Sequence, residues 1–382
     1  MKFIHTSDWQ IGMTRAFLSQ EAAARYSQAR IDVIRALGEL AERHHAQFMV
    51  VAGDVFESNQ LSAQTLSRAL DALNSVSVPV FLLPGNHDPL DASSIFRSKA
   101  FRDQARGHII VVENNEPIPV PGLANVEVVG APWFSKRPAV DLCAQALKTL
   151  DPAPGVTRIL LGHGQVDSLS PGHSQPGVVS QAVLEQALTE GLVQYVALGD
   201  RHSLTNVGSS GRLCYSGTPL VTDFDEVDPN QALLVELADD KCTPTPHTTG
   251  FWDFQAVQRD INSSEDLAAF AQWLDAIRGK ECTVLKVGFT GSVNLALAAE
   301  LDALLEAQSH VFASLKRRER TTDLAVIPDA LDDNAIALSG YADATWKALL
   351  AQAASDDIAT DALRLMYRLA GGAGSNEKAR GA

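Results

Sequence analysis

The chain has 382 residues, 46% of them apolar and 20% charged, with a net charge of -15. That length suits about two domains of common size, and no run approaches the roughly 18 apolar residues of a membrane helix. An excess of 46 acidic over 31 basic residues argues against a stand-alone, high-affinity nucleic-acid binder, but not against nucleic acid as substrate, since metals neutralise clustered acids and a partner can supply basic surface.

Phe3 to Thr6 reads as a short strand that ends at Asp8. Because the N-terminus runs straight into it, no signal peptide is expected. Cys143, Cys214, Cys242 and Cys282 lie far apart without a CxxC pair, which fits reduced thiols in a cytoplasmic protein. Glu21 to His45 carries a helical period through Tyr26, Ile31, Ile34, Leu37 and Leu40. Phe48 to Ala52 is apolar without alternation, as in a strand covered on both faces, and Gly53-Asp54 ends it. Ser62 to Leu73 is helical, and Val78 to Leu83 is a strand running into Pro84-Gly85-Asn86-His87-Asp88. Further strands are expected over 126–130, 158–161, 195–198 and 232–237.

The Thr- and Pro-rich stretch from Asp239 to Thr249 is the expected domain boundary. Beyond it, Ser263-Ser264-Glu265-Asp266 has the form of a helix start, with the helix ending near Gly279. A strand over 283–289, a helix over 295–307 and a strand over 311–315 complete a small α/β module. Helices over 343–354 and 357–369 precede a Gly- and Ala-rich tail from Gly371, expected to be disordered. The division is therefore 1–245, 250–330, 335–370 and a tail at 371–382.

The chemistry sits at the strand ends. Asp8, Asp54, Asn86 and His163 each follow a strand, so hard oxygen and imidazole donors can converge on one rim of a sheet. That is the requirement of a site whose two ions lie about 3.5–4 Å apart. Glycine precedes Asp54, Asn86, His163 and Asp200, allowing close backbone approach. Among residues near these clusters, Arg15, Lys136 and Arg201 are open to two uses, contact with phosphate or pairing with the excess acids. His5 inside the first strand reads as core, Trp9 as rim packing and His44-His45 as a helix end. The basic run Lys316-Arg317-Arg318-Glu319-Arg320 reads as a solvated face, with backbone-phosphate contact as the sharper alternative.

In order, these clusters resemble the calcineurin-like metallophosphoesterase superfamily, whose pattern is DxH, GD, GNH[DE], GH and GHxH. More narrowly they resemble the SbcD-type nuclease subunits of DNA repair, through Phe3 to Trp9, Ala52 to Phe56, Leu83 to Asp88, Tyr195 to Gly199, Tyr215 to Pro219 and Asp223-Phe224-Asp225-Glu226. The resemblance implies a four-layer α/β sandwich, two mixed β-sheets flanked by helices, with a smaller α/β capping domain. It implies two divalent ions, manganese first and magnesium second. Asp54 would bridge them, Asp8 and His202 would hold the first, and Asn86 and His163 the second. His87 would act as general acid while a bridging hydroxide attacks phosphorus, and Asp88 would orient His87. DNA, a coiled-coil ATPase of the SbcC type and a second copy of the chain are the implied partners, with no membrane. The terminal helices, through Trp346, Leu349, Leu350, Leu363, Leu365, Met366 and Leu369, are candidates for docking the ATPase or for packing on their own domain.

Two positions depart from the pattern. Gln10 and Asp200 stand where the family has histidine. Both keep an oxygen able to bind a hard ion, which favours manganese or magnesium over zinc and leaves one ion more loosely held. The rival readings are a phosphoesterase for small nucleotides or other phosphoesters, and a catalytically weakened scaffold component of a repair complex.

Overall fold

The computed structural model describes residues 1–169, 177–238, 241–327 and 338–353, together with 356, 358–363, 365–367 and 369. The expected tail at 371–382 lies outside the described residues. The chain divides into two compact units, Met1–Trp252 and Asp253–Ala382.

The first unit contains two six-stranded mixed sheets. In one, Lys2–Thr6, Phe48–Val51, Val80–Leu82 and Ile109–Val111 run parallel, and Gln231–Ala238 and Lys241–Thr248 extend it antiparallel beyond Lys2–Thr6. In the other, Val126–Gly130, Thr157–His163, Tyr195–Gly199 and Leu213–Tyr215 run parallel, with short antiparallel strands at both edges. One apolar core joins the inner faces: Phe3, Phe48, Val50 and Phe81 from the first sheet meet Ile159, Leu161, Tyr195 and Ala197 from the second. Helices Leu142–Lys148 and Gln181–Thr189 cover the outer face of the second sheet through Ala146, Leu184 and Leu188. The long helix Gln20–His44 turns Tyr26, Ile34 and Leu37 inward on the other side, beside helix Ala63–Asn74. The four layers of the expected sandwich are thus present.

The stretch expected to part the domains is mostly strand. Lys241–Thr248 pairs residue by residue with Gln231–Ala238. Its prolines, Pro244 and Pro246, are tolerated because the strand lies at the sheet's edge, where a missing N–H breaks no inner ladder. The contact division falls just after it, between Trp252 and Asp253.

The second unit has a four-stranded parallel sheet. Its 12-residue strand Thr283–Asn294 outruns the expected end at Phe289, because its first part pairs with Ser314–Arg317 and its last part with Asp323–Ile327. Helix Ser264–Ala276 begins in a reciprocal Ser263–Asp266 capping box. Leu267, Phe270, Leu285, Val287 and Leu301 form its core. Within the basic run, Arg317 pairs with Asp302 at 2.7 Å and lies over the Phe289 ring. On the terminal helices Trp346 and Leu363 are buried, whereas Leu365 and Leu369 are exposed. No described helix is long and apolar enough to cross a membrane.

Candidate metal centre

The parallel strands of both sheets deliver their following residues to one region. Asp8 follows Lys2–Thr6, Asp54 follows Phe48–Val51, and Asn86 and His87 follow Val80–Leu82. From the second sheet, His163 closes Thr157–His163, and Asp200 and His202 follow Tyr195–Gly199. The loops of the first sheet are zipped together: the Asp8 amide donates to the Gly53 carbonyl at 3.1 Å, and the Gln10 amide to the Asp54 carbonyl at 2.8 Å. The Asp200 amide crosses between sheets to Asp8 Oδ1 at 3.1 Å. A Cβ on Gly199 would lie 2.0 Å from the Ala52 carbonyl oxygen, and one on Gly85 2.2 Å from Asp54 Oδ1. Glycine at 199 lets the two sheets approach this closely, and glycine at 85 lets neighbouring loops of the first sheet do so.

Four of the expected site residues hold positive φ: Asp8 at 53°, Gln10 at 43°, Asp54 at 52° and Asp200 at 94°. Each such conformation costs a non-glycine residue about 1–3 kcal/mol and persists where its surroundings over-determine it. Here the zipped loops do so.

Buried donors converge in this region. One ligand atom from each of Asp8, Asp54 and His163 lies within 4.8 Å of the others, and all three residues are at most 2% exposed. His163 Nε2 stands 2.7 Å from Asn86 Oδ1, 3.4 Å from Asp54 Oδ1 and 3.8 Å from Asp200 Oδ1. His202 Nε2 stands 3.8 Å from Asp8 Oδ1 and 3.3 Å from Gln10 Nε2. The structure therefore brings together Asp8, Gln10, Asp54, Asn86, His87, His163, Asp200 and His202.

Asp88 is the exception, and its expected role is corrected. Its two carboxylate oxygens accept from the Phe56 and Gly85 amides, each at 2.8 Å. It ties the loop after Val80–Leu82 to the loop carrying Asp54, and its hydrogen bonds go to these amides rather than to the His87 ring. Burial, reinforced by the negative charge of Asp54, lifts its carboxyl to about 7. The His87 ring is fixed instead by the Glu57 carbonyl, 3.0 Å from Nδ1, which leaves Nε2 4.0 Å from Asp54 Oδ2.

Sequence alone assigned no role to three further residues. Glu226 Oε1 lies 3.0 Å from His202 Nδ1, and Thr222 Oγ1 lies 2.6 Å from the same nitrogen. A carboxylate behind a ligating histidine fixes its tautomer and raises its basicity. Glu226→Gln is therefore expected to weaken manganese binding by about 10–100-fold in calorimetric titration; unchanged affinity would show that His202 needs no such support. The third residue is Arg30, 2% exposed on the long helix. It donates to the Trp9 carbonyl and the Tyr26 hydroxyl, both at 2.6 Å, and Tyr26 in turn donates to the Val221 carbonyl. Arg30 thereby couples the Asp8–Gln10 loop to the loop that carries Thr222 and Glu226. The only signal in sequence was the Asp223-to-Glu226 stretch, which carried resemblance but no role.

Three observations fit this donor set to divalent cations. The carboxylates of Asp8 and Asp54 are buried together, where unpaired anions are costly, and the partly exposed Asp200 lies at the edge of the same cluster. Gln10 Oε1 is buried without a hydrogen-bond partner. Both His163 ring nitrogens face oxygen atoms, the Ala52 carbonyl at 2.8 Å and Asn86 Oδ1 at 2.7 Å, so a neutral ring has one nitrogen lone pair directed into an oxygen-lined place that suits a cation. Burial works to lower the His163 pKa, but the charge and hydrogen bond of Asp54, with Asp200 and Asp8, lift it well above the usual value. Burial likewise opposes His202, whose hydrogen bond to Glu226 and nearby Asp8 raise it to about 9. Burial raises Asp8 to about 6 despite His202 and His163.

A pH dependence follows. Groups whose folded pKa is raised stabilise the fold fully below their unfolded pKa and lose that contribution as pH climbs through the folded value. For His202 the window is from 6.5 to about 9. The melting temperature of chelated protein is expected to fall across pH 6.5–9, and manganese to displace the protons and close the deficit. Differential scanning calorimetry with EDTA or manganese checks this, and a flat profile in EDTA would contradict it.

The Calcineurin-like phosphoesterase family model matches residues 1–204. The chain is 25% identical over 282 residues to the D subunit of the SbcCD nuclease in Staphylococcus saprophyticus, covering 64% of this chain and 67% of that protein. It is 23% identical over 253 residues to the same-named protein of Staphylococcus epidermidis, covering 62% and 65%. Over 91 residues it is 31% identical to the DNA double-strand break repair protein Mre11 of Archaeoglobus fulgidus, covering 23% of this chain and 19% of that one. The chain thus spans about two thirds of the staphylococcal relatives' length.

Proposed function

The chain belongs to the calcineurin-like phosphoesterase family, and from that premise we propose that it is a metal-dependent phosphodiesterase acting on DNA, the nuclease component of a repair assembly. The observation that carries this reading is the buried Asp8, Asp54 and His163 cluster with the half-buried His87 beside it. The relatives' names, nuclease subunits and a break-repair protein, support DNA as the substrate. They also support a second protein component, for which an SbcC-type ATPase is our assignment; a homodimer of this chain is part of the same proposal and rests on the family resemblance alone.

Asp8, Gln10 and His202 would hold one divalent cation, and Asn86, His163 and Asp200 the other, with Asp54 shared between them. When bound, such cations act as Lewis acids on the phosphoryl oxygens and lower the pKa of water at the site. Oxygen donors at Gln10 and Asp200 favour manganese or magnesium. The Asp54 carboxyl, which burial would raise, is held below the usual range by His163 and His87, so it stays ionised. The Glu57 carbonyl accepts the Nδ1 proton of His87, leaving Nε2 to carry the proton that the leaving oxygen takes up.

The test is hydrolysis of linear duplex DNA, single-stranded DNA and a nucleotide panel with manganese. Metal-dependent DNA degradation is the expected result. Turnover of nucleotides alone would replace DNA with a small phosphoester, and no hydrolysis with any divalent metal would leave a scaffold role.

A further inference from the structure

Next to the main cleft, which is lined by His87, Asp200 and His202, lies a second cavity of about 390 Å³ that shares Gln165 and Asp200 with it. Asn86, Trp133, Lys136 and Arg137 also line this cavity. Trp133 is 5% exposed, and its indole N–H donates to the His163 carbonyl at 2.9 Å. The turn after strand Val126–Gly130 is thus anchored at its base to a residue of the metal centre. Beyond Trp133 the turn opens: Phe134 is 50% exposed, and Lys136 and Arg137 are exposed.

What sets these two cations apart is their place, in a cavity lined also by Asn86 and Asp200. Acids outnumber basic residues by 15, and the other arginines at the cleft already have partners. Arg15 donates to the Thr222 carbonyl and Arg201 to the Thr205 hydroxyl. Among the described residues neither Lys136 nor Arg137 has a hydrogen bond or an ion pair. Two adjacent cations without an internal partner, beside so acidic a centre, attract anions from solution.

We propose that Phe134, Lys136 and Arg137 form a subsite for a polynucleotide strand. The two cations hold the backbone phosphates adjoining the scissile one, and the Phe134 ring offers a face to a base. A phosphate monoester or an isolated phosphodiester has no adjoining phosphate to place there, so the subsite selects polymer over small phosphoester. This inference rests on the phosphodiesterase reading.

The test compares Lys136→Ala/Arg137→Ala and Phe134→Ala with the parent. Binding of a labelled single-stranded oligonucleotide is followed by fluorescence polarisation in a His87→Ala background, which keeps the strand intact. The double variant is expected to lose on the order of tenfold in affinity at about 0.15 M salt, and the slope of log K against log salt to shrink by about 0.7 per cation removed. Phe134→Ala is expected to lose about five- to hundredfold with the slope unchanged. In the hydrolytically competent protein, the ratio of kcat/KM for the oligonucleotide to that for bis(p-nitrophenyl) phosphate is expected to fall about tenfold in the double variant. An unchanged salt slope, or an equal fall on both substrates, overturns the subsite while leaving a DNA-cleaving parent enzyme intact. A parent that hydrolyses the small diester but neither binds nor cleaves the oligonucleotide overturns the DNA reading as well.

Discussion

The Asp54→Asn protein is expected to fold, yet to hydrolyse phosphodiesters on the order of 10³-fold more slowly than its parent. Asparagine matches aspartate in size and tolerates the φ of 52° at this position. The Gln10 and Asp8 amide bonds to this loop run to backbone oxygens and do not need the carboxylate. What is lost is the charge that faces both His163 and His87. Several kcal/mol of charge stabilisation depend on cations that this carboxylate would share, and each ~1.36 kcal/mol corresponds to a factor of ten. A second readout distinguishes this from misfolding. Asp54 is the main group raising the His163 pKa against burial, so Asp54→Asn should release fewer protons per manganese bound near neutral pH, measured by calorimetry in buffers of different ionisation enthalpy. A proton count equal to that of the parent would mean that Asp54 does not govern His163.

His87→Ala is the other change of large effect, a loss of about 10²–10⁴-fold in kcat for an ester with a poor leaving group. The side chain is 35% exposed, so its truncation leaves no buried cavity and little change in melting temperature. The retained manganese stoichiometry should match the parent's, because His87 stands outside the Asp8, Asp54 and His163 cluster. If the proton goes to the leaving oxygen, a substrate with an acidic leaving group such as p-nitrophenolate should be far less affected. Equal losses on both kinds of ester would assign His87 to binding rather than to proton transfer.

The strand-end residues were legible in sequence because parallel strands have only one carboxyl rim at which to deliver them. Asp8, Asp54, Asn86 and His163 could be placed from that rule and from the glycines beside them. What remained hidden depends on contacts far along the chain. Asp88 sits one residue after His87, and the family resemblance implied a partnership. The loop turns its carboxylate back to Gly85 and Phe56 instead. Glu226 reaches His202 across 24 residues, and Arg30 reaches Trp9 from the middle of a helix; neither spacing follows a local period. The positive φ of Asp8, Gln10, Asp54 and Asp200 has no glycine signature; it accompanies backbone bonds between loops at Asp8, Gln10 and Asp54 and an amide bond to the Asp8 side chain at Asp200. At 241–248, threonine and proline composition pointed to a linker, but edge position lets prolines into a strand. Gln10 and Asp200 were visible as departures, and the structure adds that both lie at the donor cluster, with the oxygen of Gln10 buried and unpartnered.

The most direct test of the central claim is the number of manganese ions bound per chain, by elemental analysis after equilibration with millimolar manganese. Two ions per chain are predicted, the second more weakly held; one or none would contradict a two-cation phosphoesterase centre built on Asp54.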